Sequence, residues 1–360
     1  MKDKQKTLVI LTPAFPGNWV ETFWVTPKQV FVKALNRNYP ELKLVILSFH
    51  YPVLASVDYI WNGNNVTTFN GDLKGKFHRI LLWLRVWRKL QRLKNTENII
   101  GILSFWCAEC ALVGNYFSRV YGLKHHIWIS GQDAKKDNKM VRLINPHTGQ
   151  LVAMSHFLVR EFYKNHGIKP ANVIPIGVDV NMFASQPVQR DIDIMGAGSL
   201  SPLKQFDVFI RVVKQLAESF PDVKAIICGY GTEKDSLLKM IDEEGLQRNI
   251  TMIGAVPHTE VLALMQRSKI FLHTSNYEGF GSVMIEALYA GAHVVSFVQP
   301  MDENISHWHI AASQNEMVTI AADILQDPLI DHSPVQPYLM DDAAKAVMAL
   351  FGINHRFQQL

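Results

Sequence analysis

The pattern best suited to ligand chemistry in this sequence lies between Ser275 and Gly291. Glu278 stands directly before Gly279-Phe280-Gly281-Ser282, and a second carboxylate, Glu286, follows eight residues after the first. Glycines let a backbone come close to a ligand, and the amides at a helix start attract phosphate. If the helix begins near Glu278, about 3.6 residues per turn place both carboxylates on roughly the same side. Carboxylates only accept hydrogen bonds and suit a ligand rich in hydroxyls, so the pattern predicts a nucleotide-sugar site.

The elements that must position these residues follow from the apolar runs. KIFLHTS precedes the segment and AHVVSFV follows it; similar β-rich runs are LVILTP, KLVILSF, NIIGILSF and HHIWIS early, and DIDIMGAG, VKAIICG and ITMIGAV late. Segments with helical spacing, such as residues 206–219 and 233–246, separate the runs. Apolar strands that alternate with helices predict parallel sheets covered on both faces. The polar stretch 184–190 divides the runs, so we expect an α/β protein with two doubly wound domains joined near residue 187.

Composition indicates an ordinary folded protein of about two domains. The 360 residues include 36 Lys+Arg, 32 Asp+Glu and 48% hydrophobic residues, which excludes collagen-like, low-complexity and mucin-like chains. Three cysteines are an odd number in a long chain, so a reducing compartment is expected rather than a disulfide framework. The first apolar run ends at Thr12 and is too short for a signal peptide or a membrane span. These features predict a cytoplasmic protein.

Residues 73–95 carry eight Lys or Arg and no acid, although the net charge of the whole chain is only +4. A helical wheel places Phe77, Ile80, Trp83, Leu84, Trp87 and Leu90 on one side, and Lys74, Arg85, Arg88, Lys89 and Arg92 on the other. Two compatible interpretations stay open. In the first, the apolar side covers the N-terminal sheet and the charges face water. In the second, the apolar side packs in the same way and the exposed charges bind an anionic membrane surface or acceptor. The rest of the chain is not basic, so no nucleic-acid partner is expected.

At the segment from Ser275 to Gly291 the chain resembles the family 4 retaining glycosyltransferases, the glycosyl transferases group 1, which have the GT-B fold. Their signature is Glu, seven residues and Glu, with Gly-Phe-Gly after the first Glu. Other segments resemble the family in the expected order: Leu151–Leu158 with Val173–Phe183, Gly198–Lys204, and Cys228–Thr232. The resemblance implies two Rossmann-like doubly wound domains that face a cleft.

The family resemblance also implies a domain plan. Residues 1–187 would form an N-terminal, acceptor-side domain, and residues 188–335 a C-terminal domain that binds the nucleotide sugar. A helix within residues 336–360 would pack back on the N-terminal domain.

Roles for single side chains follow from the same resemblance. Glu286 would hold the ribose hydroxyls of the nucleotide, and Glu278 would contact the donor sugar. Lys204 matches the family lysine that neutralises the diphosphate as it leaves, and such charge stabilisation is often the largest catalytic contribution. The backbone would complete the donor site through Gly17, Ser199, Gly229, Gly279, Phe280, Gly281 and Ser282.

Three positions depart from the family pattern. Ser199 stands where the family usually has an arginine after the glycine of the first turn of the C-terminal domain, and the turn around Gly17 has one glycine where many members have two. Ser130-Gly-Gln-Asp133 replaces the common His-Gly-x-Asp. Asp133 is therefore a candidate acceptor-side catalytic residue, and equally a turn residue or helix cap.

The resemblance implies transfer of a hexose from a nucleotide diphosphate sugar to a hydroxyl of a glycan or lipid-linked acceptor, with retention at the anomeric carbon. It implies no bound metal or other cofactor, and the histidines show no ligand spacing. Two alternatives stay open: a nucleotide-sugar epimerase, and a non-catalytic GT-B protein that binds nucleotide sugars. An NAD site at Gly196-Ala-Gly198 is not expected, because Ser201 replaces the third glycine.

Overall fold

The computed structural model describes residues 4–18, 21, 25–52, 57–71, 75–185 and 188–353. Contacts divide the chain into two units. The first unit is Met1–Ile176 together with Met340–Leu360, and the second is Gly177–Leu339. Each contains a sheet of mainly parallel strands with helices, as the alternation of apolar runs predicts.

The first unit is built on an eight-stranded sheet. Its strands are β1 (Lys6–Ala14), β2 (Lys43–Tyr51), β3 (Asp58–Trp61), β4 (Asn64–Thr68), β5 (Asn98–Phe105), β6 (His125–Ile129), β7 (Leu151–Ala153) and β8 (Asn172–Val173). They lie in the order β3-β4-β2-β1-β5-β6-β7-β8, and all neighbours are parallel except β3 and β4. The four long apolar runs of the first half form β1, β2, β5 and β6, because buried parallel strands need continuous apolar residues.

Helices of the first unit are α1 (Thr26–Asn38), α2 (Gly75–Thr96), α3 (Glu109–Tyr121), α4 (Met140–Ile144), α5 (His156–His166) and, from the end of the chain, α11 (Met340–Leu350). Helix α11 packs on α1. The Arg37 guanidinium of α1 lies 2.6 Å from the Asp341 carboxylate of α11. The last helix is thus part of the first unit. No helix in the described part of the chain is both long and apolar enough to cross a membrane.

Helix α2 covers the sheet with a different face from the one that the wheel predicts. Its buried residues are Leu82, Val86, Leu90 and Leu93, which pack among residues of β1, β2 and β5. Phe77, Ile80 and Leu84 are exposed, so their assignment to the covered side is wrong. The helix has more apolar residues than one face can bury. The row spaced by three or four residues from Leu82 to Leu93 is the one that packs on the sheet. Lys74 lies outside the described residues.

The second unit is built on a six-stranded sheet in which all neighbours are parallel. Its strands are β9 (Ile192–Ala197), β10 (Ala225–Cys228), β11 (Ile250–Gly254), β12 (Ser268–His273), β13 (His293–Ser296) and β14 (Trp308–Ile310). Its helices are α6 (Phe206–Ser219), α7 (Lys234–Glu243), α8 (His258–Arg267), α9 (Ser282–Tyr289) and α10 (Gln314–Gln326). The core includes the fully buried Phe209 and Ile270.

The change from the first unit to the second lies between Ile176 and Gly177. The sequence-based junction near residue 187 lies outside the described residues. The segment after Gly177 already bonds within the second unit, since the amide of Val178 donates to the carbonyl of Tyr338 at 3.0 Å. Polar composition does not reveal this pairing, because it depends on a partner more than a hundred residues later.

The strand order of the second sheet is β11-β10-β9-β12-β13-β14. The chain therefore runs outward from β9 to one edge, returns to β12 beside β9, and runs outward to the other edge. In open α/β sheets, ligands bind beyond the carboxyl ends of the strands where the order reverses. Here that point lies between the loop after β9, residues 198–205, and the loop after β12, residues 274–281.

Candidate functional site

The Gly-rich turn lies between β12 and α9. Gly281 adopts a φ of 75°, in the left-handed region where glycine is unstrained, and the helix begins at Ser282. Glu278 therefore lies in the turn and Glu286 in the helix. The argument that places both carboxylates on one side requires a helix start near Glu278, and the structure does not meet that condition.

Lys204 and Glu278 form an ion pair across the two loops at the reversal point. Lys204 ends a short 3₁₀ turn, Pro202–Lys204, after β9. Two hydroxyls after β12 fix this turn: Thr274 Oγ1 donates to the Lys204 carbonyl at 2.8 Å, and Ser275 Oγ donates to the Leu203 carbonyl at 2.9 Å. The structure thus brings together two residues that are 74 positions apart in sequence.

His273 is the third member of this group, and sequence reasoning missed it. Its Nε2 lies 3.0 Å from Glu278 Oε1, and its side chain is only 4% exposed. Burial would raise the pKa of Glu278, but the His273 hydrogen bond and the Lys204 charge outweigh it and lower that pKa to about 2. Because the carboxylate is charged and can only accept, His273 Nε2 carries the hydrogen. Burial also lowers the pKa of His273.

Glu286 has a different partner from Glu278. His258 Nε2, on the first residue of α8, lies 2.9 Å from Glu286 Oε1. His258 is a second functional candidate that the sequence does not reveal, because a single histidine at the start of a helix has no distinctive spacing. The contact fixes the orientation of the Glu286 carboxylate, which the family resemblance assigns to ribose hydroxyls.

Backbone groups surround the turn between β12 and α9. The N-cap residue of α9 is Gly281, which has no side chain, so no N-cap side chain accepts from the first amides of the helix. Amides of this kind bind anions. Phe280 is buried against Tyr338, with ring centroids 5.9 Å apart, so its side chain packs inside the protein and only its backbone can contact a ligand. Gly279, Gly281 and Ser282 are half-buried beside it.

The loop after β10 packs on the loop after β9. A Cβ at Gly229 would lie 1.8 Å from the Gly198 carbonyl oxygen, so glycine is needed at 229 for backbone contact between the loops. The amide of Leu200 donates to the carbonyl of Tyr230 at 3.0 Å and joins the same loops. Ser199 is exposed, and its Oγ lies 3.4 Å from Ser201 Oγ. Gly229 and Ser199 therefore lie, like Lys204, beyond the carboxyl ends of the central strands.

Gly17 of the first unit follows β1, and the resemblance implies that its backbone contributes to the nucleotide-sugar site. Its amide donates to Glu21 Oε2 at 2.7 Å, and the Tyr51 hydroxyl also donates to the Glu21 carboxylate. A carboxylate thus accepts from the amide that the resemblance assigns to the nucleotide-sugar site. Glu21 is a further residue that sequence reasoning did not single out.

Asp133 lies in the loop after β6. Ser130 donates to its Oδ2 from the backbone amide at 2.7 Å and from Oγ at 2.9 Å. Its side chain is buried, and burial raises the pKa of Asp133 to about 6 although the Ser130 hydrogen bonds lower it. These contacts favour the turn role that the sequence left open. Lys28 is buried nearby, donates to Thr12 Oγ1 at 3.0 Å, and has a pKa that burial lowers to about 8.

Metal and thiol chemistry find little support among the side chains. In the ranges that the structure describes, no group of three His, Cys, Asp or Glu residues is arranged to hold a metal ion. Cys107 and Cys110 are free and buried, and burial raises the pKa of both thiols. A buried thiol with a raised pKa is a poor nucleophile.

Comparisons with known proteins show which family and fold this chain is similar to. Residues 179–326 match the family described as Glycosyl transferases group 1. The gpi3 subunit of phosphatidylinositol N-acetylglucosaminyltransferase from Schizosaccharomyces pombe is 26% identical over 272 residues, covering 71% of this chain and 58% of that protein. The 2-deoxystreptamine N-acetyl-D-glucosaminyltransferase of Niallia circulans is 29% identical over 103 residues, covering 29% of this chain and 26% of that protein.

Among solved structures, Anabaena Alr3699/HepE in complex with UDP and glucose is similar with a TM-score of 0.67 at 17% identity. The match covers 96% of this chain and 95% of that one. At this identity the likeness shows the fold, which is GT-B. The chain spans 58% of the length of the fission-yeast relative and 26% of the length of the Niallia relative.

Proposed function

We propose, from the premise that residues 179–326 belong to the glycosyl transferases group 1, that this chain transfers a hexose from a nucleotide diphosphate sugar to an acceptor hydroxyl with retention. The observation that carries the proposal is the group of Lys204, Glu278 and His273 at the strand-order reversal, beside the uncapped start of α9. Cationic and amide donors at one point suit a diphosphate leaving group.

In this proposal Lys204 and the α9 amides stabilise the charge that develops on the departing diphosphate. The incoming diphosphate competes with Glu278 for Lys204. Glu278 then accepts hydrogen bonds from sugar hydroxyls, and His273 holds its carboxylate in place. A carboxylate with a pKa near 2 is a poor general base, so the departing phosphate takes the acceptor proton in a front-face reaction. No covalent nucleophile is required.

Glu286 holds the ribose hydroxyls, with His258 fixing its orientation. Carboxylates accept from vicinal hydroxyls, and Glu286 Oε2 has no side-chain partner among the described residues. We assign no catalytic step to Asp133, because its carboxylate accepts from Ser130. Any ligand of the Gly17 amide would have to displace Glu21.

A uridine nucleotide is the first donor to test. Two relatives are named for N-acetylglucosaminyl transfer, and the Anabaena complex contains UDP and glucose. These names support UDP-N-acetylglucosamine and UDP-glucose as donors. They also support a glycan or lipid-linked acceptor, because the fission-yeast relative is named for a phosphatidylinositol substrate. Three free, buried cysteines support a reducing, cytoplasmic compartment.

The test combines donor binding with product analysis. A ligand at about 100 times its dissociation constant stabilises the native state by roughly 2.7 kcal/mol. We expect UDP, rather than GDP or ADP, to raise the melting temperature, and Glu286→Ala to abolish the shift. Glu218→Ala, which removes an exposed carboxylate of the same unit, is the matched control and should respond like the wild type.

Incubation with UDP-N-acetylglucosamine separates the alternatives. Slow donor hydrolysis, and transfer to an added acceptor, support the transferase, and both should persist with a chelator because Lys204 and the helix amides carry the charge. An epimerised donor without any acceptor would support the epimerase. Binding with neither transfer nor hydrolysis would support the non-catalytic protein. In that case the arginine that Ser199 replaces would be the missing phosphate ligand.

A further inference from the structure

The exposed face of α2 changes character along its length. Four apolar side chains lie on its first half: Phe77, Ile80, Leu81 and Leu84 are 83%, 49%, 58% and 47% exposed. Their spacing of three and four residues places them on one face, which we term the α2 stripe. Arg88 and Arg92 continue the same face, four and eight residues after Leu84. One surface therefore passes from apolar to cationic over about 22 Å, at about 1.5 Å per residue.

The stripe is not a by-product of core packing. Leu82, Val86, Leu90 and Leu93 already give α2 a complete buried row on the opposite side. Single exposed apolar residues are normal on a protein surface, but a contiguous exposed group marks an interaction site. The helix thus has one apolar face for its own sheet and a second for something outside the unit.

A cationic groove lies beside the second half of the helix. It has a volume of about 360 Å³ and runs between α2 and the β3–β4 pair, lined on the helix by Arg85, Arg88, Lys89 and Arg92. Asp58 of β3 is the acid of the groove, and it pairs with Lys89 at 3.2 Å. In the described part of the chain no acidic side chain pairs with the three arginines. Arg85 lies over the Phe69 ring, with 5.8 Å between its Cζ and the ring centroid.

We propose that this face docks on an anionic phospholipid membrane, with the α2 stripe at the acyl boundary and the arginine groove on headgroup phosphates. Guanidinium groups bind phosphate through paired hydrogen bonds. A helix with an apolar exposed half and a basic exposed half matches the composition of interfacial helices. The inference goes beyond the proposed function, because docking requires neither a donor nor transfer.

The first experiment is sedimentation of the full chain with two kinds of vesicle: phosphatidylcholine alone, and an equimolar mixture of phosphatidylcholine and phosphatidylglycerol. We expect binding to the mixed vesicles to exceed binding to the neutral ones at least tenfold and to weaken with added salt. Equal binding to both, or binding to neither, overturns the proposal. In the latter case an acidic protein partner becomes the occupant to seek.

Variants separate the two halves of the face. Arg88→Gln with Arg92→Gln should weaken binding to mixed vesicles about thirtyfold, since each cation near an anionic surface contributes about 1 kcal/mol. Lys136→Gln with Arg142→Gln removes the same charge from exposed positions of the same unit and should weaken it less than threefold. If both pairs have the same effect, only net charge matters and the groove is not the site.

The apolar half needs its own variant. Ile80→Ser with Leu84→Ser should reduce binding at high salt, where the electrostatic part is screened. Unchanged binding in this variant removes the stripe from the proposal. All variants are exposed, so their melting temperatures should match the wild type, and the UDP-induced shift should remain. If UDP does not raise the melting temperature of the wild type, the proposed function is contradicted, but the vesicle result still tests the docking proposal.

Discussion

At the residue scale, Glu278 keeps its charge because two partners outweigh its burial. A carboxylate in this state cannot serve as a proton acceptor at neutral pH, since a general base works best with a pKa near the operating pH. In the proposed function, it instead holds Lys204 where a diphosphate can displace the carboxylate. The Lys204 charge would then be oriented before the donor arrives.

Replacement of Lys204 tests this role. Lys204→Ala should lower the turnover number for transfer about 10²- to 10³-fold, the range typical for loss of one transition-state donor. Donor affinity should change less, because Glu286 and the α9 amides remain. Steady-state kinetics with UDP-N-acetylglucosamine would measure both.

The chain offers a matched control for this prediction. Lys214 also pairs with a glutamate, Glu244, but on the half-exposed surface of α6 and away from the two loops. Exposed ion pairs contribute about 0–1 kcal/mol, so Lys214→Ala should leave turnover within twofold. Equal losses in both variants would show that Lys204 acts only through stability.

The sequence reveals some of these residues and not others. Glu278 and Glu286 can be found because glycines and strand runs give them a context, and Lys204 can be found through the family resemblance. His273 and His258 cannot, since each is a single histidine whose partner depends on which strand lies beside which. The motif is visible in the sequence, but only the pairing of β9 with β12 in the sheet shows that Lys204 and Glu278 meet.

At the element scale, the loop after β9 is shaped by the loop after β10. Both contain glycines whose backbones touch, Gly198 and Gly229, and Gly229 has a φ of 153°. The contact fixes the start of the segment that ends in Lys204. The proposed donor site thus depends on the backbone contact at Gly229, whether or not Gly229 touches the ligand.

Gly229→Ala should destabilise the second unit by about 2–3 kcal/mol, because the new Cβ meets backbone that has little freedom to move. Gly245→Ala is the control: it also has a positive φ, of 68°, but nothing lies within 4 Å of its Cβ position, so it should cost only about 1 kcal/mol. Denaturant unfolding would compare the two. A smaller loss for Gly229→Ala than for Gly245→Ala contradicts the contact argument.

Most of the strands follow from their apolar runs, whereas β3, β4, β7, β8 and β14 do not. These strands are short, and some are polar, so no periodic signal marks them. The face of α2 was mispredicted for the opposite reason. The helix has two apolar rows, and a wheel cannot tell which one the sheet covers.

At the scale of the whole molecule, four histidines of the second unit lie together. His293 stacks on His307 with ring centroids 4.4 Å apart, its Nδ1 lies 3.1 Å from His309 Nε2, and its Nε2 lies 2.9 Å from the Asp331 carbonyl. Burial lowers the pKa of His293 to about 4, and the neighbouring histidines add to the effect while the Asp331 carbonyl opposes it. Burial likewise lowers the pKa of His309 and His332.

This cluster predicts loss of stability in mild acid. The folded protein keeps His293 neutral, whereas the unfolded chain binds a proton as the pH falls below about 6.5. The free energy of unfolding that neutral His293 contributes is therefore complete above that pH, and it is lost as the pH falls towards 4. We expect the melting temperature to fall between pH 7 and pH 5, and to fall less in His293→Gln.

The exposed His78 gives the control, and His78→Gln should retain the wild-type dependence. His125 of the first unit acts in the same direction, since burial lowers its pKa to about 3. Asp133 acts in the opposite direction, because its pKa is raised. The difference between wild type and His293→Gln isolates the cluster, and identical slopes would exclude it.

The return of α11 to the first unit has a consequence for how the chain is made. Residues 177–339 are inserted into the first unit, and their two ends meet at a parallel bridge between Val178 and Leu339. On the ribosome, the second unit can therefore finish folding while the first still lacks the helix that covers α1. The first unit, although its synthesis begins before that of the second, is completed after it.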